Sequence, residues 1–143
     1  MSQEFETTFK SLSGLWNLKR DISTGETLIG KAVFESISDT AFLLHEEGQL
    51  VLMNQTQIPA SRNWYWNLSD ENTLEITYDE ARLEEYHLVN LISSESGWHG
   101  EAQHLCGSDL YCGEYSFKEN GFEIIQTVKG PKKDYMVRSF YSK

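Results

Sequence analysis

The sequence predicts an all-β fold: a single closed or nearly closed antiparallel up-and-down barrel with a short N-terminal helix. Eleven short segments favour strands, turn-forming residues separate them, and only the first few residues place apolar side chains at helical spacing. Parallel strands need long crossover connections, which the short separators exclude. A meander of this length removes its free edges most simply by closing on itself. With 143 residues, the chain is expected to form one domain over residues 1–143.

The elements follow one another along the chain at even spacing. Residues 4–12, EFETTFKSL, predict the helix, because Phe5, Phe9 and Leu12 fall on one face. The predicted strands cover residues 16–22, 28–37, 41–47, 50–57, 62–68, 73–78, 83–92, 98–106, 111–117, 122–128 and 135–141. Both prolines, at positions 59 and 131, are expected in the separators, since a central strand needs every backbone donor.

Composition and charge limit the possible partners. Lys and Arg number 12 against 22 Asp and Glu, and the formal net charge of −10 repels the phosphate backbone of nucleic acid. No apolar run approaches the about 20 residues of a membrane-spanning helix, and the N-terminal MSQEFETTFK is unlike a signal peptide. We therefore expect a cytoplasmic protein that binds neither nucleic acid nor membrane, and nothing in the sequence indicates a homo-oligomer. Cys106 and Cys112 fall on opposite predicted faces across a hairpin, so free thiols are expected.

Alternation along the strands places several polar side chains inside the predicted barrel. Arg62 shares a face with Trp64 and Trp66, and Arg20 shares a face with Trp16. The other inward polar positions are His104, Cys106, Asp109 and Tyr111. Because a buried arginine or histidine costs several kcal/mol without a partner, these positions need an explanation.

Two explanations remain open for the interior charges. Asp109 is the one clear acidic partner on the inward faces. Glu47 and Glu85 lie on strands whose inward face is ambiguous, and either residue could neutralise the arginines if its side chain points inward. In one explanation, the polar groups satisfy one another as a buried network. In the other, they line a cavity for a polar or anionic small molecule whose apolar part packs on aromatic side chains.

Two short features resemble a known superfamily. Gly14-Leu15-Trp16, together with Arg138 in the last strand, resembles the Gly-x-Trp and terminal-arginine signature of calycin barrels, which include lipocalins and fatty-acid-binding proteins. The resemblance implies that Trp16 plugs one barrel end and that Arg138 packs across it.

A longer match covers nearly the whole chain. Residues 16–20, 30–34, 104–113 and 130–135 are among the segments that are similar to a single-domain family of bacteria and eukaryotes, catalogued as a domain of unknown function. This resemblance implies a calycin-like barrel and no established activity. It also implies a set of polar motif positions, namely Arg20, His87, His104, Cys106, Asp109, Tyr111 and Lys133.

Metal and haem chemistry fit the sequence poorly. The possible ligands between positions 99 and 112 are His99, His104, Cys106, Asp109 and Cys112. They lack the paired Cys-x-x-Cys or Cys/His spacing of structural zinc sites. The haem-binding nitrobindin branch of calycins carries its histidine in the region corresponding to residues 122–143, which contain none. We therefore expect neither a metal nor a cofactor.

The sequence predicts a small-molecule-binding barrel whose ligand combines a polar or anionic group with an apolar or aromatic part. The predicted ligand-binding residues are Arg20, Arg62, His87, His104, Cys106, Asp109, Tyr111 and Lys133. The two arginines are expected to hold the acidic group, and the basic turn that contains Lys133 could steer an anion inward. The alternative is an enzyme in which His104 and Asp109 form an acid–base pair. A third interpretation is a protein-interaction module with a filled core.

Overall fold

One short helix precedes eleven antiparallel strands. The computed structural model describes residues 5–78 and 86–143, without the side chains of Tyr78, Tyr86 and Cys106. Helix α1 spans Glu6–Lys10. The strands are β1 (Gly14–Ile22), β2 (Thr27–Ser38), β3 (Ala41–Val51), β4 (Gln57–Leu68), β5 (Thr73–Tyr78), β6 (Tyr86–Asn90), β7 (Ile92–Ser94), β8 (Gly97–Cys106), β9 (Asp109–Lys118), β10 (Gly121–Lys129) and β11 (Asp134–Ser142).

The strands form a nearly closed barrel. Their order in the sheet is β6-β5-β4-β3-β2-β1-β11-β10-β9-β8-β7, so β1 pairs with β11 and the meander returns to its start. At the remaining seam β6 approaches β8, where a Cβ added to Gly100 would lie 2.7 Å from the carbonyl oxygen of Asn90. A glycine permits this close approach because it has no side chain. The predicted all-β barrel with an N-terminal helix is confirmed.

The predicted strand 50–57 is wrong. β3 and β4 both extend into it, and a turn over residues 52–56 connects them. Pro59 consequently lies inside β4 rather than in a separator. β4 pairs with β5 only from Trp64 to Leu68. Within the described ranges, Pro59 therefore has a paired strand on one side only, and its missing N–H is tolerated.

The predicted strand 83–92 is divided in two where it is described. β6 ends at Asn90 and β7 begins at Ile92, while residues 83–85 lie outside the described ranges. His87 is buried and Leu88 is exposed, so the ambiguous inward face contains His87.

Helix α1 closes one end of the barrel, which is called the helix end below. Phe5, Phe9 and Leu12 are fully buried there, as their spacing predicts. The backbone N–H of Phe5 donates to the carbonyl oxygen of Glu71 and to Oδ1 of Asn72, both at 3.2 Å, which fixes the helix on the turn between β4 and β5. In the described part of the chain, no helix is long and apolar enough to cross a membrane.

Inward-facing aromatic residues fill the helix end beneath α1. Trp66 is fully buried and lies 5.2 Å from Phe34 and 6.2 Å from Phe117 between ring centroids, edge to face in both cases. Phe122 stacks on Tyr141 at 4.3 Å. Each such pair contributes about 0.5–1.5 kcal/mol beyond the burial of apolar area. Alternation therefore gives this end a continuous aromatic core.

The predicted contact between Trp16 and Arg138 is wrong. Alternation in β11 turns Tyr141 inward and Arg138 outward, where its guanidinium lies 5.9 Å from the ring of Phe140. The cation over Trp16 is Lys143, whose Nζ lies 4.9 Å from the ring centroid. The pairing of the first and last strands, which motivated the prediction, is nevertheless present.

Candidate functional site

A buried carboxylate holds two arginines at the opposite end of the barrel, which is called the polar end below. Glu46 is 2% exposed, and its Oε1 accepts hydrogen bonds from Nη2 of Arg20 at 2.9 Å and from Nε of Arg62 at 3.0 Å. Its Oε2 accepts a hydrogen bond from the hydroxyl of Tyr141. Nε of Arg20 donates to Oγ of Ser139 at 2.7 Å. One network thus joins β1, β3, β4 and β11.

The surroundings of Glu46 favour its charged form. Burial raises the pKa of this carboxyl, but Arg62, Arg20 and the Tyr141 hydroxyl together outweigh burial and hold the pKa below 4.5. Burial, followed by the negative charge of Glu46, raises the pKa of Tyr141. Glu46 is therefore a carboxylate at neutral pH, and Tyr141 is its neutral hydrogen-bond donor.

The position of Glu46 corrects the predicted charge balance of the interior. From the sequence, Asp109 is the clear partner of the arginines, with Glu47 and Glu85 as alternatives, whereas both arginines bind Glu46. The side chain of Glu47 is 70% exposed, and Glu85 lies outside the described ranges. Alternation in β3, where Leu44 is fully buried, places Glu46 inside and is the signal that identifies it.

Sequence reasoning also missed the inward polar residues of β10 and β11. Ser139 and Tyr141 are buried, and Gln126 lines the cavity described next. The signal in β11 is weak, because the outward positions include Met136 and Phe140 and the two faces are similarly apolar. The pairing with β1 and β10 distinguishes the inner face from the outer one.

A cavity of about 480 Å³ opens beside the arginine network. The polar residues that line it include Arg20, Arg62, His87, His104, Tyr111 and Gln126. The lining also contains Ile22, Val128 and Val137, together with Cys112, Thr127 and Tyr135. The volume lies within the range of roughly 300–1,000 Å³ that is typical of small-molecule sites.

Two histidines in the cavity wall have different surroundings. His87 is 5% exposed, and its Nδ1 shares a hydrogen bond with the hydroxyl of Tyr115 at 3.0 Å. Burial, and then the neighbouring His104, lower the pKa of His87, so its imidazole is neutral at pH 7. The His104 ring lies 6.5 Å from that of His87. Neither nitrogen of His104 has a hydrogen-bond partner among the described residues, and its Nε2 is buried.

Lys133 connects Tyr111, which lines the cavity, to Asp109. Its Nζ donates to the Tyr111 hydroxyl at 3.1 Å and lies 3.6 Å from Oδ2 of Asp109. Tyr111 and then Asp109 raise the pKa of Lys133, which is therefore an ammonium. The register places Tyr111 opposite His104, and Asp109 opposite Cys106. No hydrogen bond joins His104 to Asp109 within the described ranges, so the two residues of the alternative acid–base pair are not in contact here.

Most of the predicted site residues meet at the polar end. Those that line the cavity are Arg20, Arg62, His87, His104 and Tyr111, while Lys133 contacts Tyr111 and Asp109 outside this lining. Cys106 belongs to β8, but its side chain lies outside the description, and Cys112 is a free cysteine. In the part of the chain that the structure describes, no three His, Cys, Asp or Glu side chains are grouped to hold a metal ion.

The fold and the cavity define the class of this protein as a nearly closed antiparallel β-barrel with room for a small molecule at one end. The chain belongs to the family of unknown function DUF6314, which matches residues 12–143. This match confirms the resemblance to a domain of unknown function. The comparison with curated proteins gives no match.

Several solved structures are similar to the whole barrel. The S-type phycobiliprotein lyase CPES from Guillardia theta is 10% identical over 99% of this chain and 93% of that chain, with a TM-score of 0.68. The protein EF1p2_mFAP2b, solved bound to DFHBI, is 12% identical over 97% and 98%, with a TM-score of 0.57. A de novo designed fluorescence-activating β-barrel is 11% identical over 99% and 100%, with a TM-score of 0.52. At these identities, the likeness shows the fold alone.

Proposed function

We propose that this protein binds a small molecule in the polar-end cavity, and that the ligand combines a polar or anionic group with an apolar or aromatic part. The observation that carries the proposal is the cavity of about 480 Å³, whose lining combines arginine, histidine and tyrosine with aliphatic side chains. A few polar groups converging on a mostly apolar pocket are typical of ligand sites. In this proposal, residues 1–143 act as one calycin-like β-barrel domain in the cytoplasm, without a nucleic-acid partner.

Arg62 is the residue that we assign to the anionic group of the ligand. Its side chain is 34% exposed, compared with 10% for Arg20, so it is the more accessible of the two guanidinium groups. The guanidinium lies 4.0 Å from the ring of Trp64, and Nε is held by Glu46. These contacts restrict the rotamers of Arg62 before the ligand arrives, which lowers the entropy cost of binding.

The other predicted site residues have supporting roles in this proposal. His87, His104 and Tyr111 offer hydrogen bonds from the same lining, while Lys133 contacts Tyr111 and Asp109. Cys106 remains a predicted ligand contact. The apolar part of the ligand would pack on the aliphatic side chains of β1, β10 and β11.

The similar barrels support a binding function in general terms. One is a lyase for phycobiliproteins, and another was solved with DFHBI bound. The DFHBI complex supports the capacity of a barrel of this fold to hold a small molecule, while the chemistry proposed for the ligand here rests on the cavity lining.

A binding screen with a matched control tests this function. Thermal shift followed by calorimetry would compare benzoate, indole-3-acetate, phenylpyruvate and octanoate, with benzyl alcohol as the uncharged probe. We expect at least one carboxylate to stabilise the wild type, and Arg62→Met to weaken its binding tenfold or more, because a charge-assisted hydrogen bond contributes about 1.5–3 kcal/mol. Arg138→Met removes an exposed arginine from the outer face and should leave binding unchanged. If no probe stabilises the wild type, the proposal is wrong, and a higher melting temperature of Arg62→Met would then identify the arginines as structural.

A further inference from the structure

His104 and Tyr111 stand side by side in the wall of the polar-end cavity. The ladder between β8 and β9 pairs them directly, and their ring centroids lie 6.1 Å apart. Both side chains line the cavity. An ionisable base and a hydroxyl donor therefore face the same enclosed space.

The hydrogen bonds of each group suit the transfer of a proton. Within the described ranges, no other group engages either nitrogen of His104, so a neutral imidazole can accept a proton. The Lys133 ammonium has donors only, so the Tyr111 oxygen accepts from it at 3.1 Å and directs its own proton elsewhere.

The neighbouring polar groups have other roles. His87 shares a hydrogen bond with a buried tyrosine, and Asp109 forms an ion pair with Lys133. The guanidinium groups of the cavity wall cannot act as bases, because arginine keeps its proton in proteins. Among the described residues that line the cavity, Tyr135, Thr127 and Cys112 also carry exchangeable protons, and what distinguishes His104 and Tyr111 is that the β8–β9 ladder pairs them directly.

We propose that this cavity catalyses proton transfer at the carbon next to the carbonyl group of a 2-oxo acid with an aromatic side chain. The proposal rests on the proposed function, because the substrate must first bind with its carboxylate at Arg62. An imidazole nitrogen of His104 removes the proton from carbon, and the C–H electron pair becomes the new C=C bond. The carbonyl π electrons move to oxygen, which takes the hydroxyl proton of Tyr111 and gives the enol. His104 releases its proton to water and Tyr111 regains one, so the keto and enol forms interconvert without a further reactant.

Hydrogen–deuterium exchange measures this reaction directly. Each enolisation lets deuterium from D₂O replace a methylene proton of phenylpyruvate, and proton NMR follows the loss of signal. We expect the wild type to accelerate exchange over buffer, and Tyr111→Phe and His104→Gln each to lower the catalysed rate constant about 100-fold or more. Tyr65→Phe and His99→Gln change the same residue types on the outer faces of β4 and β8 and should keep the wild-type rate.

Lys133 acts on the reaction through Tyr111 and is a positioning residue. We expect Lys133→Met to lower the exchange rate constant at saturation and to leave the half-saturating phenylpyruvate concentration within about twofold. Lys133→Arg keeps the positive charge and should restore most of the rate. A residue that only supports the fold would not change the rate constant at saturation while leaving the half-saturating concentration unchanged.

The outcomes distinguish this inference from the binding function. If phenylpyruvate binds in calorimetry but exchanges no faster than in buffer, proton transfer is overturned and the binding function stands. The same holds if Tyr111→Phe stays folded by circular dichroism and keeps the wild-type rate. If Tyr111→Phe does not fold, His104→Gln decides by the same criterion. If no probe of the binding screen binds, both proposals fail.

Discussion

The two ends of the barrel use the same alternating strands but fill the interior with different chemistry. At the helix end, Trp66 meets Phe34 and Phe117 through ring edges and faces, which requires shape but no donors or acceptors. At the polar end, Glu46 receives directed hydrogen bonds from two guanidinium groups, beside a cavity of about 480 Å³. The difference shows that the helix end depends on the fit of apolar rings, whereas the polar end depends on the pairing of charges.

This division has an energetic basis. Burying aromatic area is favourable wherever the rings fit, whereas a buried ion pair loses the hydration of both charges and adds little net stability. Once formed, however, such a pair is costly to break from one side, because the remaining charge stays buried. The helix end should therefore be sensitive to lost volume and the polar end to lost charge.

Removing volume from the helix end should give the largest effect. Trp66→Ala deletes a fully buried indole between several aromatic rings, and we expect the free energy of unfolding to fall by about 4 kcal/mol. Urea denaturation measures the change. Tyr65→Ala is the matched control, since Tyr65 is the adjacent residue and is 38% exposed on the outer face. Equal losses for the two variants would contradict the assignment of stability to the helix end.

Removing charge from the polar end should give the second largest effect. Glu46→Gln keeps the shape of the side chain but leaves Arg20 and Arg62 without their shared carboxylate, at a cost of about 3 kcal/mol in the free energy of unfolding. The neighbouring Glu47→Gln changes a side chain that is 70% exposed and should cost less than about 0.5 kcal/mol. If chemical denaturation shows Glu46→Gln to be as stable as the wild type, the negative charge of Glu46 does not contribute to the stability of the polar end.

Acidification should have the smallest of the three effects and should act through His87. The pKa of His87 is lowered in the folded protein, first by burial and then by His104, relative to 6.5 for an ordinary histidine. Its contribution to stability is therefore complete above about pH 6.5 and is lost as the pH falls through the lower folded value.

The test compares the urea midpoint at about pH 7.5 and about pH 5.5, above the range in which most carboxylates titrate. The wild type should lose stability between these conditions, and His87→Gln should lose less. His99→Gln, on the outer face of β8, should keep the wild-type decrease. A decrease in His87→Gln as large as that in the wild type would assign the effect to another group.

Alternation along single strands accounts for most of what the sequence predicted correctly. It placed Arg20, Arg62 and Tyr111 inside because each shares a strand face with large apolar side chains. The same rule applied to β3 would have found Glu46 two residues after the buried Leu44. The barrel itself followed from the even spacing of strands and the short connections.

Contacts between strands were harder to predict, because they depend on register. Arg138 is in the last strand as expected, yet the register places it opposite Asp21 rather than near Trp16. The contact of Lys133 with Tyr111 depends on the path of the connection between β10 and β11, and no periodicity describes that path. The alternation within a single strand thus predicts neither the register between strands nor the geometry of the loops that connect them.

Because β1 pairs with β11, a strand made early in synthesis has a partner that is made last. Arg20 binds Ser139 and Tyr141, which lie 119 and 121 positions later in the chain. At about 5–20 residues per second, the ribosome takes on the order of ten seconds to deliver these partners after Arg20 has been made. During that interval the edge of β1 that later meets β11 has no partner within its own chain, and an open strand edge can pair with other chains. The yield of folded protein should therefore depend on how that edge is shielded while the chain is still on the ribosome.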